Sequence, residues 1–192
     1  MKKQNARADS LADSILDVAL EQAESSSWEY VNLHTVAKTL DISLLEIKSI
    51  YPQKDDLVEA WFDRADKAVL AEKAAEDFAA LPAHERIHKV MMLWFLSMSE
   101  HRRVTGQMLC YKLEFGHIHL QVLGIMRISR TVQWFREAAL LKTQDVHRII
   151  EEILLTRIYL LSFARLLFDD SENSLRTDSY LKAALRRHSL FD

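Results

Sequence analysis

The chain is poor in the residues that break or staple a backbone: it has 3 glycines, 2 prolines and 1 cysteine in 192 residues. So few breakers favour long helices and argue against a β-sandwich or barrel. The glycines, Gly106, Gly116 and Gly124, all lie in the second half and stand apart from one another. That placement excludes a glycine-rich loop of the kind that cradles phosphates. A lone Cys110 excludes an internal disulfide and a cysteine-rich zinc site. There is no run of about 18 apolar residues, so no membrane-spanning helix is expected. The polar start is unlike a secretory leader. A soluble, cytoplasmic protein is the expectation. No G-x-S-x-G nucleophile motif occurs. Glu151-Glu152 and Asp169-Asp170 read as solvated charge rather than acid–base machinery. Neither an enzyme nor a cofactor is expected.

What is present is periodic apolar residue. Hydrophobic residues make up 49% of the chain, enough for a sizeable core. Leu11, Ile15, Val18 and Ala19 share one helical face. Ser10 reads as the cap of that first helix, Ser25-Ser26-Ser27 as its end, and residues 1–9 as a polar, disordered lead. Trp28 and Val31 are expected to tuck under the next segment. Residues 33–51 read as a helix, a tight turn and a second short helix. Val36, Leu40, Ile42, Ile47 and Ile50 close the small core between them, with Ala37 letting the backbones approach. Ser43 and Glu46 form a capping box, which starts the second helix at about residue 44. Pro52 ends it, and Asp55-Asp56 open the next helix with charges suited to its positive end. This is a helix-turn-helix pattern, whose second helix can enter a DNA major groove.

The remainder reads as further helices over 55–78, 83–100, 102–115, 118–140, 144–168 and 175–190. Leu81-Pro82 and a polar loop at 169–174 punctuate them, and Thr143 is expected to cap the fifth. The fold class is therefore all-α. A head over 1–54 and a body over 55–192 are expected. With no Gly- or Ser-rich linker between them, they should be mechanically coupled.

The chain resembles the TetR family of transcriptional regulators. Ser14 to Ala23, Trp28, Val36-Ala37, Ile42-Ser43, Ile47, Tyr51-Pro52, Lys54 and Leu57 carry the likeness. It continues more weakly to Phe168-Asp169-Asp170-Ser171 and Tyr180-Leu181. The resemblance implies an N-terminal three-helix head with the helix-turn-helix and a C-terminal body for ligand binding and dimerisation. It implies a homodimeric DNA-binding regulator, usually a repressor, that reads a palindromic operator in double-stranded DNA and responds to a small apolar or amphipathic ligand. In the head, the resemblance places His34 and Thr35 at a phosphate. Ser43 caps and touches the DNA backbone, while Leu44, Lys48 and Ser49 face the groove. Lys48 would take a phosphate or a guanine edge, and Lys54 would clamp a phosphate. Leu44 or Leu45 would meet a thymine methyl, or else cover the head's own surface. The chain departs from the family at the turn, where Asp41 replaces the usual glycine, and at Lys48, where a tyrosine is usual.

In the body, Met91, Trp94, Phe95, Met98, Met108, Tyr111, Phe115, Met126 and Trp134 are methionine and aromatic residues of the kind that line adaptable apolar pockets. Such residues equally fill cores; the resemblance is what favours a ligand pocket. Helix 144–168 is apolar over more than one stripe and so needs a second partner surface. The resemblance assigns Ile150, Leu154, Ile158 and Leu161, with Tyr180, Leu181 and Leu185 of the last helix, to a two-fold dimer interface. His117 and His119 diverge if helical and have no carboxylate cluster beside them, so no metal site is expected. His84, His88, His101 and His147 read as solvated or capping, and Cys110 as buried.

Charge is the awkward feature for a DNA binder. The formal net charge is −3, and residues 1–60 hold six basic against eleven acidic residues. DNA affinity normally draws on phosphate neutralisation. Lys2, Lys3 and Arg7 are read as a mobile basic arm, and the acids of the first helix as facing away from DNA. The acidic head, Ile42–Ile47 and Phe62–Leu70 also resemble the TetR-fold proteins of ubiquinone biosynthesis, which bind an isoprenoid or lipid instead of DNA. That accessory role is the alternative to the preferred regulator reading.

Overall fold

Apolar periodicity becomes helix along nearly the whole chain. A computed structural model describes the backbone of residues 2–72, 77–112 and 118–188, and the side chains of these except 2–8 and 118–123. Its helices are α1 (Lys2–Ser25), α2 (Leu33–Leu40), α3 (Leu44–Ile50), α4 (Lys54–Ala71), α5 (Ala83–Met98), α6 (Arg102–Lys112), α7 (Ile118–Ala138), α8 (Asp145–Leu166) and α9 (Leu175–Arg186). Single 3-10 turns lie at Trp28–Tyr30, Phe78–Ala80, Ser99–His101 and Glu172–Ser174. Among the described residues there is no strand, as the all-α expectation requires.

The chain divides into two compact units. The first runs through Arg64 and takes in Arg103–Tyr111. Ile15, Leu16, Ala19, Leu20 and Ala23 of α1 are buried with Val36, Ala37 and Ile47 of the helix-turn-helix. Trp28 is fully buried between these elements and α6, and its backbone N–H donates to Gln107 Oε1 at 2.8 Å. The Tyr51 hydroxyl donates to Ala12 O at 3.1 Å, tying the end of α3 to α1. Burial, with Asp13 next, pushes the Tyr51 phenol up to about 12.

This unit is larger than the 1–54 head read from sequence, because three side-chain contacts hold α6 to it. They are the Gln107 bond, Trp61 Nε1 donating to Thr105 Oγ1 at 2.9 Å, and Arg103 Nη2 donating to Ala23 O and Glu24 O. Arg103 thereby satisfies carbonyls at the end of α1 that have no partner within the helix. The start of α1 also differs from expectation. Nothing in residues 2–9 opposes helix, so the backbone is helical from Lys2 and forms no arm. Ser10 is then an interior residue whose carbonyl accepts the Ser14 hydroxyl.

The second unit comprises Ala65–Arg102 and the chain from Lys112 onward. Here α5 packs on α7, α8 and α9. Trp94, fully buried, meets Phe95, Phe135, Tyr159 and Phe163 edge-on, with ring centroids 5.2–5.9 Å away. Its indole N–H donates to Asp66 Oδ1 at 2.8 Å, and Arg127 Nη2 donates to Asp66 Oδ2 at 2.8 Å. A charge pair thus sits inside the apolar cluster, where removing either partner is costly.

Helix ends correct several expectations. α4 stops at Ala71 rather than 78, with residues 73–76 outside the described set. Thr143 does not cap α8; Gln144 stands at that position. The Thr143 hydroxyl instead donates to Glu151 Oε2 and accepts from Arg136 Nη2. Glu151, expected in solvent, is buried and ion-paired with Arg136. Asp169, also expected in solvent, is buried and fixes the α8–α9 turn. It accepts from the backbone N–H and hydroxyl of both Ser171 and Thr177.

Candidate nucleic-acid interface

α2 begins at an Asn32 cap, whose side-chain oxygen accepts from His34 N at 2.8 Å. His34 and Thr35 follow in the first turn, both exposed. α2 ends at Asp41, which adopts φ 52°, ψ 46°. This left-handed geometry is the one a glycine usually supplies, and aspartate tolerates it better than most residues. The turn leads to Ser43, which caps α3 as expected. Ser43 Oγ accepts from Glu46 N at 3.2 Å, while Glu46 Oε2 accepts from Ser43 N at 2.9 Å. Ile47 alone of α3 is fully inward. Leu44, Leu45, Lys48 and Ser49 are all exposed on its outer side.

Lys54 is the exception among the head residues assigned to DNA. Its ammonium turns inward, donating to Trp28 O at 2.8 Å and Glu29 O at 3.0 Å and lying 5.3 Å from the Trp28 ring centroid. Burial lowers its pKa, with Asp55 and Glu29 opposing. It thereby closes the 3-10 turn at Trp28–Tyr30. The acids of α1 are partly neutralised within the unit: Asp13 and Asp17 both pair with Arg64, and Glu24 with Arg103.

No protein-family model matches the chain, and no curated protein matches it. Solved structures do. The chain is similar to the TetR transcriptional regulator from Nitrosomonas europaea ATCC 19718, with 45% identity over 92% of this chain and 97% of that one and a TM-score of 0.82. The chain belongs to the TetR family of transcriptional regulators. A TetR transcriptional regulator from Rhodococcus sp. RHA1 shares the fold at 17% identity, covering 95% of this chain and 96% of that one, with a TM-score of 0.68.

The second unit of this TetR-family chain sorts the remaining candidates differently from the sequence. Met91, Trp94, Phe95 and Met98 are brought together, but as close-packed core. Met108 is buried in the first unit, and Tyr111 belongs there too. Met126 is 64% exposed and so lines no interior pocket. Trp134 borders an open groove of about 750 Å³ with Arg136, Arg148 and Glu152, a polar setting rather than an apolar one. Phe115, His117 and the side chain of His119 lie outside the described residues.

Of the residues assigned to a dimer interface, Ile158, Leu181 and Leu185 are buried within the chain itself and cannot reach a partner. Ile150 and Leu161 are exposed, and Leu154 and Tyr180 half-buried. The outward stripe of α8 also includes Val146, Ile149, Ile153 and Leu160, which sequence reasoning left unassigned. An apolar groove of about 340 Å³ between α7 and α8 continues it, lined by Ile125, Val132, Ile149 and Ile153 among others. Their i, i+3, i+4, i+7 spacing was visible in sequence; which of two apolar faces turned outward was not. Two further expectations are corrected. Cys110 is exposed, and His88 Nε2 lies 2.8 Å from Asp178 Oδ1 rather than in solvent.

Proposed function

We propose that the protein is a homodimeric DNA-binding regulator, a repressor, that reads a palindromic operator and is released by a small apolar or amphipathic ligand. The observation that carries the DNA reading is the exposed outer side of α3 in a helix-turn-helix whose cap and left-handed turn are both formed. Residues 1–54 do the reading. His34 and Thr35, at the start of α2, meet the phosphate backbone, where a helix N-terminus favours an anion. Lys48 meets a phosphate or a guanine edge. Residues 55–192 pair and respond to the effector. The outward stripe of α8 supports pairing, since so large an exposed apolar patch marks an interaction surface. A two-fold dimer then presents two α3 helices to two half-sites. The effector reading rests on family membership. No described helix is long and apolar enough to cross a membrane, and the proposed place of action is the cytoplasm.

The test is selection from random duplex DNA by the purified protein, followed by binding of the enriched sequences across a salt series. Enrichment of a palindrome with affinity falling as salt rises supports the reading. Absence of any enriched duplex at low salt overturns it.

A further inference from the structure

Between Leu44 and Ile50, α3 has no arginine, asparagine or glutamine. Those side chains read guanine and adenine edges through paired hydrogen bonds. The polar groups that α3 does carry are largely engaged. The Glu46 carboxylate accepts from the Ser43 backbone N–H and from its hydroxyl. The Ser49 hydroxyl donates to Glu46 O at 2.7 Å. What remains at the N-terminal end of the helix is apolar: Leu44 is 38% exposed and Leu45 75%. In a helix-turn-helix that end of the second helix meets base edges. Among bases, thymine alone offers an apolar group in the major groove, its C5-methyl.

The geometry points to Leu45, with Leu44 beside it, as a specificity-determining residue that reads thymine methyl groups. This rests on the DNA reading above and adds what the site recognises. Lys48, also outward on α3, is the charged donor beside them, for a phosphate or a base edge. Operator half-sites therefore carry thymine opposite Leu45.

The experiment takes the enriched duplex and replaces its thymines one at a time by deoxyuridine, which pairs identically but lacks the methyl. One or two positions in each half-site should then lose affinity about fourfold, the worth of one buried methyl-sized group. Leu45→Ala should bind the thymine and uridine duplexes equally at those positions. Lys48→Ala should weaken both by the same factor and keep the thymine preference. Leu45 is exposed, so Leu45→Ala should melt with the wild type, which thermal denaturation checks. If uridine is tolerated at every position, or if Leu45→Ala keeps the thymine preference, the inference fails and DNA binding stands. If no duplex is enriched, both fail together.

Discussion

Three residues show how single side chains set the head and the turn of the body. Asp41 holds a left-handed backbone without glycine. Asp41→Gly should raise stability by up to about 1 kcal/mol, and Asp41→Val should lower it by about 2 kcal/mol, both read by urea denaturation. Lys54 looks from sequence like a surface charge, yet its ammonium closes two carbonyls. Lys54→Met should cost roughly 1–3 kcal/mol of stability while leaving the salt dependence of DNA binding unchanged; a reduced salt slope would return Lys54 to the phosphate contacts. Asp169 is buried, and burial alone would push its pKa up. Hydrogen bonds from Ser171 and Thr177 outweigh burial and bring it down to about 2 from 3.8. Since the folded value lies below the unfolded one, its contribution is present above pH 4 and lost as pH falls towards 2. Asp169→Asn keeps one acceptor oxygen but turns an NH2 toward two of the four donors, so stability at neutral pH should drop by roughly 1–2 kcal/mol. The acid limb between pH 4 and 2 should flatten in the same denaturation series.

At the scale of elements, α3 is the revealing case. A seven-residue helix has no stability of its own, so its cap and its packing through Ile47 decide whether it forms. Ser43→Ala should cost about 1 kcal/mol, and Glu46→Gln, which keeps the reciprocal bond, should cost less; amide exchange of Glu46 and Ile47 reads both. The cap, the turn and the stop at Pro52 are local signals spread over ten or so residues, which is why they were legible in the sequence. The union of α6 with the head was not. It depends on Arg103, Thr105 and Gln107 meeting partners 44 to 80 positions away, and no local pattern marks such pairs. The aromatic set of α5 was legible as inward-facing. Spacing alone does not separate a close-packed core around Trp94 from the lining of a cavity. Asp66 was missed for a related reason: its place four residues after Phe62, on the apolar face of α4, hints at burial, but its partner Arg127 is 61 residues on.

At the scale of the whole molecule, the proposed pairing and the charge balance together bear on how a modestly acidic chain would engage DNA. α8 has two apolar faces, one buried through Leu155, Ile158 and Phe163 and one exposed through Ile149, Ile153 and Leu161. The outward face gives the proposed dimer its test. Ile153→Glu with Leu161→Glu should yield a folded monomer in sedimentation equilibrium, whereas Ile158→Glu should prevent folding; a doubly substituted protein that stays dimeric would move the interface elsewhere. In the proposed dimer each phosphate contact would occur twice. The first unit holds eight basic against twelve acidic residues, so weak non-specific attraction to DNA is expected, with few contacts carrying the electrostatic part of affinity. Each lysine that neutralises a phosphate steepens the logarithmic salt dependence by about 0.9. Loss of Lys48 from both protomers should therefore reduce the slope by about 2, measured on the enriched duplex. An unchanged slope with weakened binding would place Lys48 on a base edge instead of a phosphate. The same double substitution in α8 should then abolish palindrome binding even with Lys48 intact, because a single head lacks the second half-site.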